Sequence, residues 1–291
     1  MTLYLHALGF GLVTASILAL ASVGLTLQFG VTNYVNFAYG EMLTFGAYFA
    51  WIANAHYGWN IWLALLAGAI LTGVLGIVLN LIILAPFVKR GYPVLFMLVV
   101  TFGLSLILAN VLLAIWGADF RQYKVAPDKS YNVGPFLFTG RQLAIIGIAV
   151  VAMVGVHVLL NYTKIGKAMR AMSDNPSLAK NCGINTELVT NFAWLLSGLL
   201  AGLAGVVLAL NISSFQPAFG GDFLFVIFSA VILGGIGKPY GAMAGALVIG
   251  IVTELAAIPL SSDFKNDAAF AILVLVLLLR PQGIFASEGK A

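Results

Sequence analysis

Long apolar runs, separated by short polar connections, set the pattern of this 291-residue chain. A helix needs roughly 20 apolar residues to cross the hydrocarbon core of a bilayer. The runs approach that length and lack the alternation of barrel strands, so they predict membrane-spanning helices. We expect an all-α fold, a polytopic transmembrane bundle of about 8–10 spans in a single domain over residues 1–291, with candidate spans at 7–28, 34–54, 60–84, 93–116, 142–161, 188–211, 222–236, 241–260 and 267–280.

The composition agrees with a membrane protein. Hydrophobic residues make up 62% of the chain and charged residues 8%, whereas a soluble globular protein carries roughly 25% charged residues. The single cysteine, Cys182, excludes a disulfide framework. The net charge of +4 comes from cations in short loops without interleaved aromatic residues, which favours membrane topology over nucleic-acid binding.

Clusters of lysine and arginine predict which side of the membrane is cytoplasmic. Because cytoplasmic loops carry an excess of these residues, the loop at 163–187 and the C-terminus are expected inside. The loop at 117–140 also carries cations but is expected outside, together with the N-terminus. No Lys or Arg precedes Lys89, so the first apolar run lacks the basic start of a secretory signal and is expected to stay as a span. The clusters that define the inner side are Lys89 with Arg90, then Lys164, Lys167, Arg170 and Lys180, and finally Arg280 with Lys290.

Three polar residues near the start of the second predicted span, Asn33, Asn36 and Glu41, are candidates for lining a path through the membrane. Ionisable groups at membrane depth are costly and are usually retained for a pathway or for a packing bond. Flanking glycines favour an irregular or broken helix that lines a cavity. Two interpretations of Glu41 remain open: a structural clasp to a neighbouring helix, and a role in the path.

Small residues recur at helical spacing in the sixth and eighth predicted spans. Glycines four apart allow helix backbones to approach closely where lipid supplies no hydrophobic reason to associate. We expect tight packing there, with a sliding or gating surface as the alternative. The residues are Gly198, Gly202, Gly205, Gly241 and Gly245.

The remaining polar residues do not form the pattern of an enzyme. The chain has no Gly-x-Ser-x-Gly elbow, no His-Glu-x-x-His helix and no phosphate-binding loop. His6, His56 and His157 are far apart and lack ligand spacing, so no metal site is expected. Glu254 is expected either to reach the membrane interface or to pair with Lys265. We therefore expect no catalytic residue and no cofactor held by this chain.

The sequence GGIGKPYG resembles a phosphate-binding loop only superficially. Lys238 is followed by Pro239 where such a loop has Ser or Thr, and proline has no amide to donate at the start of the helix. The pattern instead predicts a tight cytoplasmic turn between the seventh and eighth spans, formed by Gly234, Gly235, Gly237 and Lys238.

Two short helices joined at a corner are predicted in the polar stretch 163–184, TKIGKAMRAMSDNPSLAKNCGI. In the first, Ile165, Met169 and Met172 recur at i, i+4 and i+7 and form one apolar stripe. In the second, Asn175 is the expected N-cap and Gly183 the left-handed stop. The pattern alone allows two partners for these helices: anionic lipid, or a groove in a cytoplasmic protein that would receive the apolar stripe.

Four phrases, taken together, resemble the LivH-type permease of branched-chain amino acid ABC importers. They are NFAYGE at 36–41, GKAMRAMSDNPSLAKNCGIN at 166–185, AVILGGIGKPYGAMAGALVIG at 230–250 and RPQGIF at 280–285. Each phrase is a weak signal alone, but their order and spacing match that family over nearly the whole chain.

The resemblance implies a multi-pass transport subunit of the bacterial inner membrane, without an ATPase site of its own. The implied partners are a second, homologous permease or a second copy of this chain, two cytoplasmic ATPase subunits that use the ATP, a periplasmic binding protein and the lipid bilayer, but no nucleic acid. The stretch 163–187 corresponds to the family's coupling loop, which seats in the ATPase. The matching residues are Gly166, Ala168, Arg170, Asn175, Ala179 and Gly183.

The resemblance further implies leucine, isoleucine or valine as the solute. A path with few charges suits a zwitterion, but it suits urea or a short amide equally well. Related permeases carry those solutes, and a sugar such as ribose is a further alternative. An ion-coupled secondary transporter or channel is the alternative of another class, and it would depend on Glu41 to bind the coupling ion.

Overall fold

The fold is an all-α membrane bundle, as the sequence predicts. The computed structural model describes residues 2–126, 128–134, 136–260, 264–279 and 283. Its elements are α1 Thr2–Thr32, α2 Tyr39–Trp51, a π-helical turn Ile52–His56, α3 Ile61–Leu79, a second π-helical turn Asn80–Leu84, α4 Ala85–Lys89, α5 Val94–Trp116, β1 Ser130–Val133, β2 Phe136–Thr139, α6 Gly140–Tyr162, α7 Lys164–Asp174, α8 Pro176–Asn181, α9 Thr186–Ile212, α10 Phe219–Gly234, α11 Pro239–Leu260 and α12 Lys265–Leu279.

Six helical segments in the described part of the chain are long and apolar enough to cross a membrane: α1, the continuous run 61–89, α5, α6, α9 and α11. The other three predicted spans are shorter helices. α2 has 13 residues, α10 has 16 and α12 has 15. At 1.5 Å per residue α10 covers about 24 Å, which is less than the roughly 30 Å of a hydrocarbon core. The pair β1 and β2 forms a small antiparallel hairpin within the predicted loop 117–140.

The chain divides into two compact units, and each is assembled from separate stretches of sequence. One unit comprises residues 27–125 and 154–224. Its core is formed by α2, α3 and α9, which meet at small residues. A methyl group added at Gly46 would lie 2.6 Å from the Cα of Gly202, and one added at Gly202 would lie 2.8 Å from the Cα of Ala69. The prediction that glycines of the sixth span pack tightly is confirmed.

The other unit comprises residues 1–26, 126–153 and 225–291. Here α1 and α11 meet at small residues, because a methyl group added at Gly250 would overlap the backbone of Ala15. The nearby Glu254 carboxylate accepts a 2.6 Å hydrogen bond from the Thr14 hydroxyl and forms an ion pair with Lys265 at the start of α12. The predicted pairing of Glu254 with Lys265 is confirmed, and it ties three helices together.

Candidate functional site

A hairpin of two short helices, α7 and α8, lies between the long helices α6 and α9. Thr163 caps α7 by accepting a 3.0 Å hydrogen bond from the Gly166 amide, and Asn175 caps α8 by accepting one of 3.0 Å from Leu178. Gly183 follows α8 with φ of 83°, a left-handed conformation that glycine adopts without strain. The predicted corner, its N-cap and its glycine stop are confirmed. We call residues 163–184 the coupling hairpin, after the family's coupling loop that their sequence resembles.

The coupling hairpin is seated on the end of α6. A methyl group at Gly166 would overlap the carbonyl oxygen of Leu159, so only glycine allows this approach. Met169 and Met172 are 2% and 4% exposed, and they therefore lie against the protein itself. Of the two partners that the pattern left open, anionic lipid and a protein groove, neither is contacted through these two buried residues. Periodicity reveals that a stripe exists, but it does not reveal what covers it.

The face that the coupling hairpin leaves exposed is cationic. Lys164, Lys167 and Arg170 are all exposed, and the Arg170 guanidinium donates a 3.2 Å hydrogen bond to Asn161 on α6. The six residues matched to the family's coupling loop divide into two kinds. Gly166 and Ala179 are buried supports and Ala168 is half-buried, whereas Arg170, Asn175 and Gly183 are exposed.

The second predicted span begins with a break in the helix, as expected. α1 ends at Thr32, and six non-helical residues lead to α2 at Tyr39. The first of them, Asn33, takes a left-handed φ of 57°. The three candidates for the path are not equivalent. Asn33 is exposed, whereas Asn36 is 1% and Glu41 is 5% exposed.

Asn36 holds the break together from inside. Its side-chain oxygen accepts a 3.0 Å hydrogen bond from the Ala38 amide, and its side-chain nitrogen donates to the Gln28 side chain at 3.3 Å. The same Gln28 oxygen accepts a 3.2 Å hydrogen bond from Ser197 on α9. The break, α1 and α9 therefore meet in a buried polar network. Because a buried amide is costly unless it is bonded, this network favours one conformation of the break.

Glu41 occupies the first turn of α2. Its carboxylate lies near Ser105 on α5 and close enough to Asp222 on α10 for electrostatic interaction. Its Oε2 atom is buried and has no hydrogen-bond partner among the residues that the structure describes. Sequence reasoning found Glu41 but missed Asp222, which reads as a common first-turn acid at the start of α10.

The GGIGKPYG sequence forms the tight turn that was predicted. Gly235 and Gly237 have φ of 95° and 83°, and the Lys238 amide donates to the Gly235 carbonyl oxygen at 3.2 Å. Gly283, from the RPQGIF phrase, packs against this turn, since a methyl group at Gly283 would lie 2.6 Å from the Gly235 nitrogen. The charged residues of the C-terminal cluster, Arg280 and Lys290, lie outside the described residues.

A cavity of about 850 Å³ opens beside the end of α2, and sequence reasoning missed it. Its walls include Trp51, Trp116, Arg121 and Lys124. The Arg121 guanidinium lies 5.1 Å from the centre of the Trp51 ring and donates a 2.8 Å hydrogen bond to the Trp116 carbonyl oxygen. The backbone of Arg121 pairs with that of Phe215, so the loop is held in place. The cavity combines aromatic walls with two cations.

A polytopic helical bundle with a buried carboxylate at a broken helix and a rigid hairpin between two long helices is suited to a membrane permease. The chain belongs to the family of permease components of branched-chain amino acid transport systems, whose family model matches residues 7–279. The resemblance stated from the four phrases is thereby confirmed.

Several named proteins are similar to this chain along most of its length. It is 31% identical, over 96% of its length, to the probable branched-chain amino acid transport permease protein LivH of Methanocaldococcus jannaschii, of which 91% is covered. It is 29% identical, over 97% of its length, to the high-affinity LivH permease of Escherichia coli, of which 95% is covered. The ribose import permease RbsC of Escherichia coli is 26% identical over 91% of this chain, with 82% of RbsC covered. No solved structure matches the chain.

Proposed function

We propose that this protein is the membrane-spanning subunit of an ATP-driven importer for leucine, isoleucine and valine. In this proposal two ATPase subunits, a second permease and a periplasmic binding protein complete the transporter. The coupling hairpin carries the proposal. It is capped at both helices, fixed to α6 and followed directly by α9.

The coupling hairpin has the properties that a mechanical contact requires. A displacement of the hairpin is passed to α6, because the backbone of Gly166 packs closely against Leu159. It is passed to α9 over the short connection 182–185. The surface offered to an ATPase is the cationic face with Lys164, Lys167 and Arg170, and the buried methionines serve as its foundation. The ATPase groove is accordingly expected to be acidic.

Branched-chain amino acids are the preferred solute because of the relatives described above. The two LivH proteins are named as branched-chain amino acid transport permeases, and they are more similar to this chain than the ribose permease is. Urea and short amides remain solutes that a weakly charged path would also admit. The path itself is proposed to pass the broken helix, with Asn36 and Glu41 beside it and Asn33 at its rim.

The substrate is tested by reconstituting the permease with its ATPases, second permease and binding protein in proteoliposomes. Uptake of radiolabelled leucine, urea and ribose is then compared at equal concentration with ATP supplied to the ATPases. We expect leucine uptake to exceed that of the other two at least tenfold, and excess isoleucine and valine to compete with it. Preferred uptake of ribose or urea would contradict the proposed substrate.

Reversing the charge of Arg170 is expected to weaken the ATPase contact. Arg170→Glu places a carboxylate on the exposed cationic face, and a like charge against an acidic groove is unfavourable. Co-purification of the ATPases and ATP-driven uptake should both fall about tenfold, which corresponds to about 1.4 kcal/mol. Lys129→Glu, the same reversal at an exposed site in the loop 117–140, is the matched control and should leave both unchanged. Normal ATPase binding by Arg170→Glu would refute the docking face.

A further inference from the structure

The joint between α9 and α10 repeats the joint between α1 and α2. Both consist of six residues, 33–38 and 213–218, placed 180 positions apart. Both open on a left-handed residue, Asn33 with φ of 57° and Ser213 with φ of 66°, and these are the two non-glycine residues with positive φ in the described part of the chain.

The joints also close in the same way, and their sequences correspond. The Tyr39 amide donates to the Asn36 carbonyl oxygen at 3.3 Å, and the Phe219 amide donates to that of Gln216 at 3.1 Å. In each case the new helix opens on Ala, an aromatic residue and Gly, at 38–40 and again at 218–220. Each joint is a helix interrupted and resumed, and the two form an internal repeat.

The two resumed helices, α2 and α10, meet at the repeated glycines. A methyl group at Gly40 would lie 2.7 Å from the carbonyl oxygen of Gly220 and 3.1 Å from the Cβ of Leu224. A methyl group at Gly220 would in turn overlap the carbonyl oxygen of Gly40 and the hydroxyl of Thr44. Each glycine thus faces its counterpart and the residue four positions beyond it. The contact is reciprocal. The Tyr48 ring, later in α2, lies 5.3 Å from the ring of Phe215, which precedes α10, so α2 and α10 run antiparallel.

An antiparallel pair of interrupted helices is the arrangement of inverted-repeat transporters, in which the solute site lies where such helices meet. Beside the glycine contact the structure places two carboxylates, Glu41 and Asp222, close enough to interact. Gly221 makes room for the first, since a methyl group there would lie 3.0 Å from Glu41 Oε1. Neither carboxylate forms an ion pair with a described Lys or Arg.

The two carboxylates differ in exposure in a way that suits a binding site. Glu41 is 5% exposed and keeps an unpartnered Oε2, whereas Asp222 is exposed on α10. A charged residue within a membrane bundle faces water or a polar partner, not lipid. An aqueous path is therefore expected to reach the face of α10 that carries Asp222, and Glu41 lies close to it.

We propose that Glu41 and Asp222 together bind the ammonium group of the transported amino acid where α2 and α10 cross. Two neighbouring carboxylates repel one another in a poorly polarisable setting, and a positive group between them relieves that repulsion. An ammonium group supplies this charge together with three hydrogen-bond donors. The site rests on the proposed function, and it would distinguish amino acids from urea and ribose, which carry no positive charge.

The test uses the complete reconstituted transporter and two isosteric variants, Glu41→Gln and Asp222→Asn. Each is expected to lower leucine uptake at least tenfold, with the assembled complex and its melting temperature retained. Asp267→Asn removes an exposed first-turn acid from α12 and serves as the matched control for effects on the helix terminus. It should transport as wild type. Uptake by both site variants within twofold of wild type would overturn the site.

A second measurement separates ligand binding from a structural role. Ala218→Cys keeps both carboxylates and places an exposed thiol four residues before Asp222. In a Cys182→Ser background that removes the exposed native thiol, it is labelled with a positively charged methanethiosulfonate reagent during turnover. Leucine should slow the labelling at least threefold, whereas 4-methylpentanoate, which lacks the ammonium group, should not. Equal labelling with and without leucine would refute the site. Wild-type transporter that imports ribose or urea in place of leucine would instead overturn the proposed function, and the ammonium site with it.

Discussion

Gly166→Val is expected to abolish ATP-driven uptake while the permease still inserts and folds. The substitution places a branched side chain where even a methyl group would overlap the Leu159 carbonyl oxygen. Backbone cannot yield as a flexible side chain can, so α7 must move away from α6 and expose Met169 and Met172. Uptake should fall at least tenfold, and the ATPases should no longer co-purify in stoichiometric amount.

The control for this variant lies on the same helix pair. Gly155 on α6 has open space around it, so Gly155→Val adds the same side chain without a clash. It should retain uptake and ATPase binding. The contrast between the two positions is read by size-exclusion chromatography, which reports folding, and by ATPase co-purification, which reports coupling. If Gly166→Val took up leucine as fast as Gly155→Val, the contact of the coupling hairpin with α6 would not be required for ATP-driven uptake.

Gly205→Leu is expected to prevent the permease from folding. A methyl group at Gly205 would overlap the Leu43 carbonyl oxygen at the contact between α9 and α2, in the core of its unit. Overpacking a tight core typically costs 1–3 kcal/mol, and a backbone clash lies at the upper end, roughly 3 kcal/mol or more. The yield of monodisperse protein and its melting temperature should both drop sharply.

The matched control for the core is Gly103→Leu. Gly103 lies on α5 with no atom near the position of an added side chain, and leucine is a better helix former than glycine. We expect its melting temperature to equal or exceed that of the wild type. Equal stability of Gly205→Leu and Gly103→Leu would show that the close contact of α9 with α2 does not hold the core.

The parts of the site that depend on local chemistry were predictable from the sequence. Asn175 and Gly183 act as caps because their side chain or backbone conformation suits a helix end wherever it lies. The break before Glu41 was also predictable, because polar residues and glycines cluster where an apolar span should begin. Nine membrane-spanning segments were predicted. In the described residues, six helices are long and apolar enough to cross a membrane.

The parts that depend on which surfaces meet were not predictable. Met169 and Met172 formed a visible stripe, but the stripe covers the protein itself and not a partner. The contact of Gly40 with Gly220 joins positions that are 180 residues apart, and the two segments share only a few identical or similar residues. A comparison of the sequence with itself could have revealed the repeat, because Ala, an aromatic residue and Gly follow each other at 38–40 and again at 218–220. It would also have drawn attention to Asp222, two residues further on.

The central claim is that the permease moves its solute only when separate ATPases drive it. Two sets of proteoliposomes are compared, one with the complete transporter and one that lacks only the ATPase subunits. In both, labelled leucine is supplied on the side of the membrane that carries the binding protein. We predict rapid leucine transport that requires ATP hydrolysis in the complete transporter, and no transport above the protein-free background when the ATPases are omitted. Leucine transport by the permeases alone, driven by an ion gradient, would contradict the assignment to an ATP-driven importer.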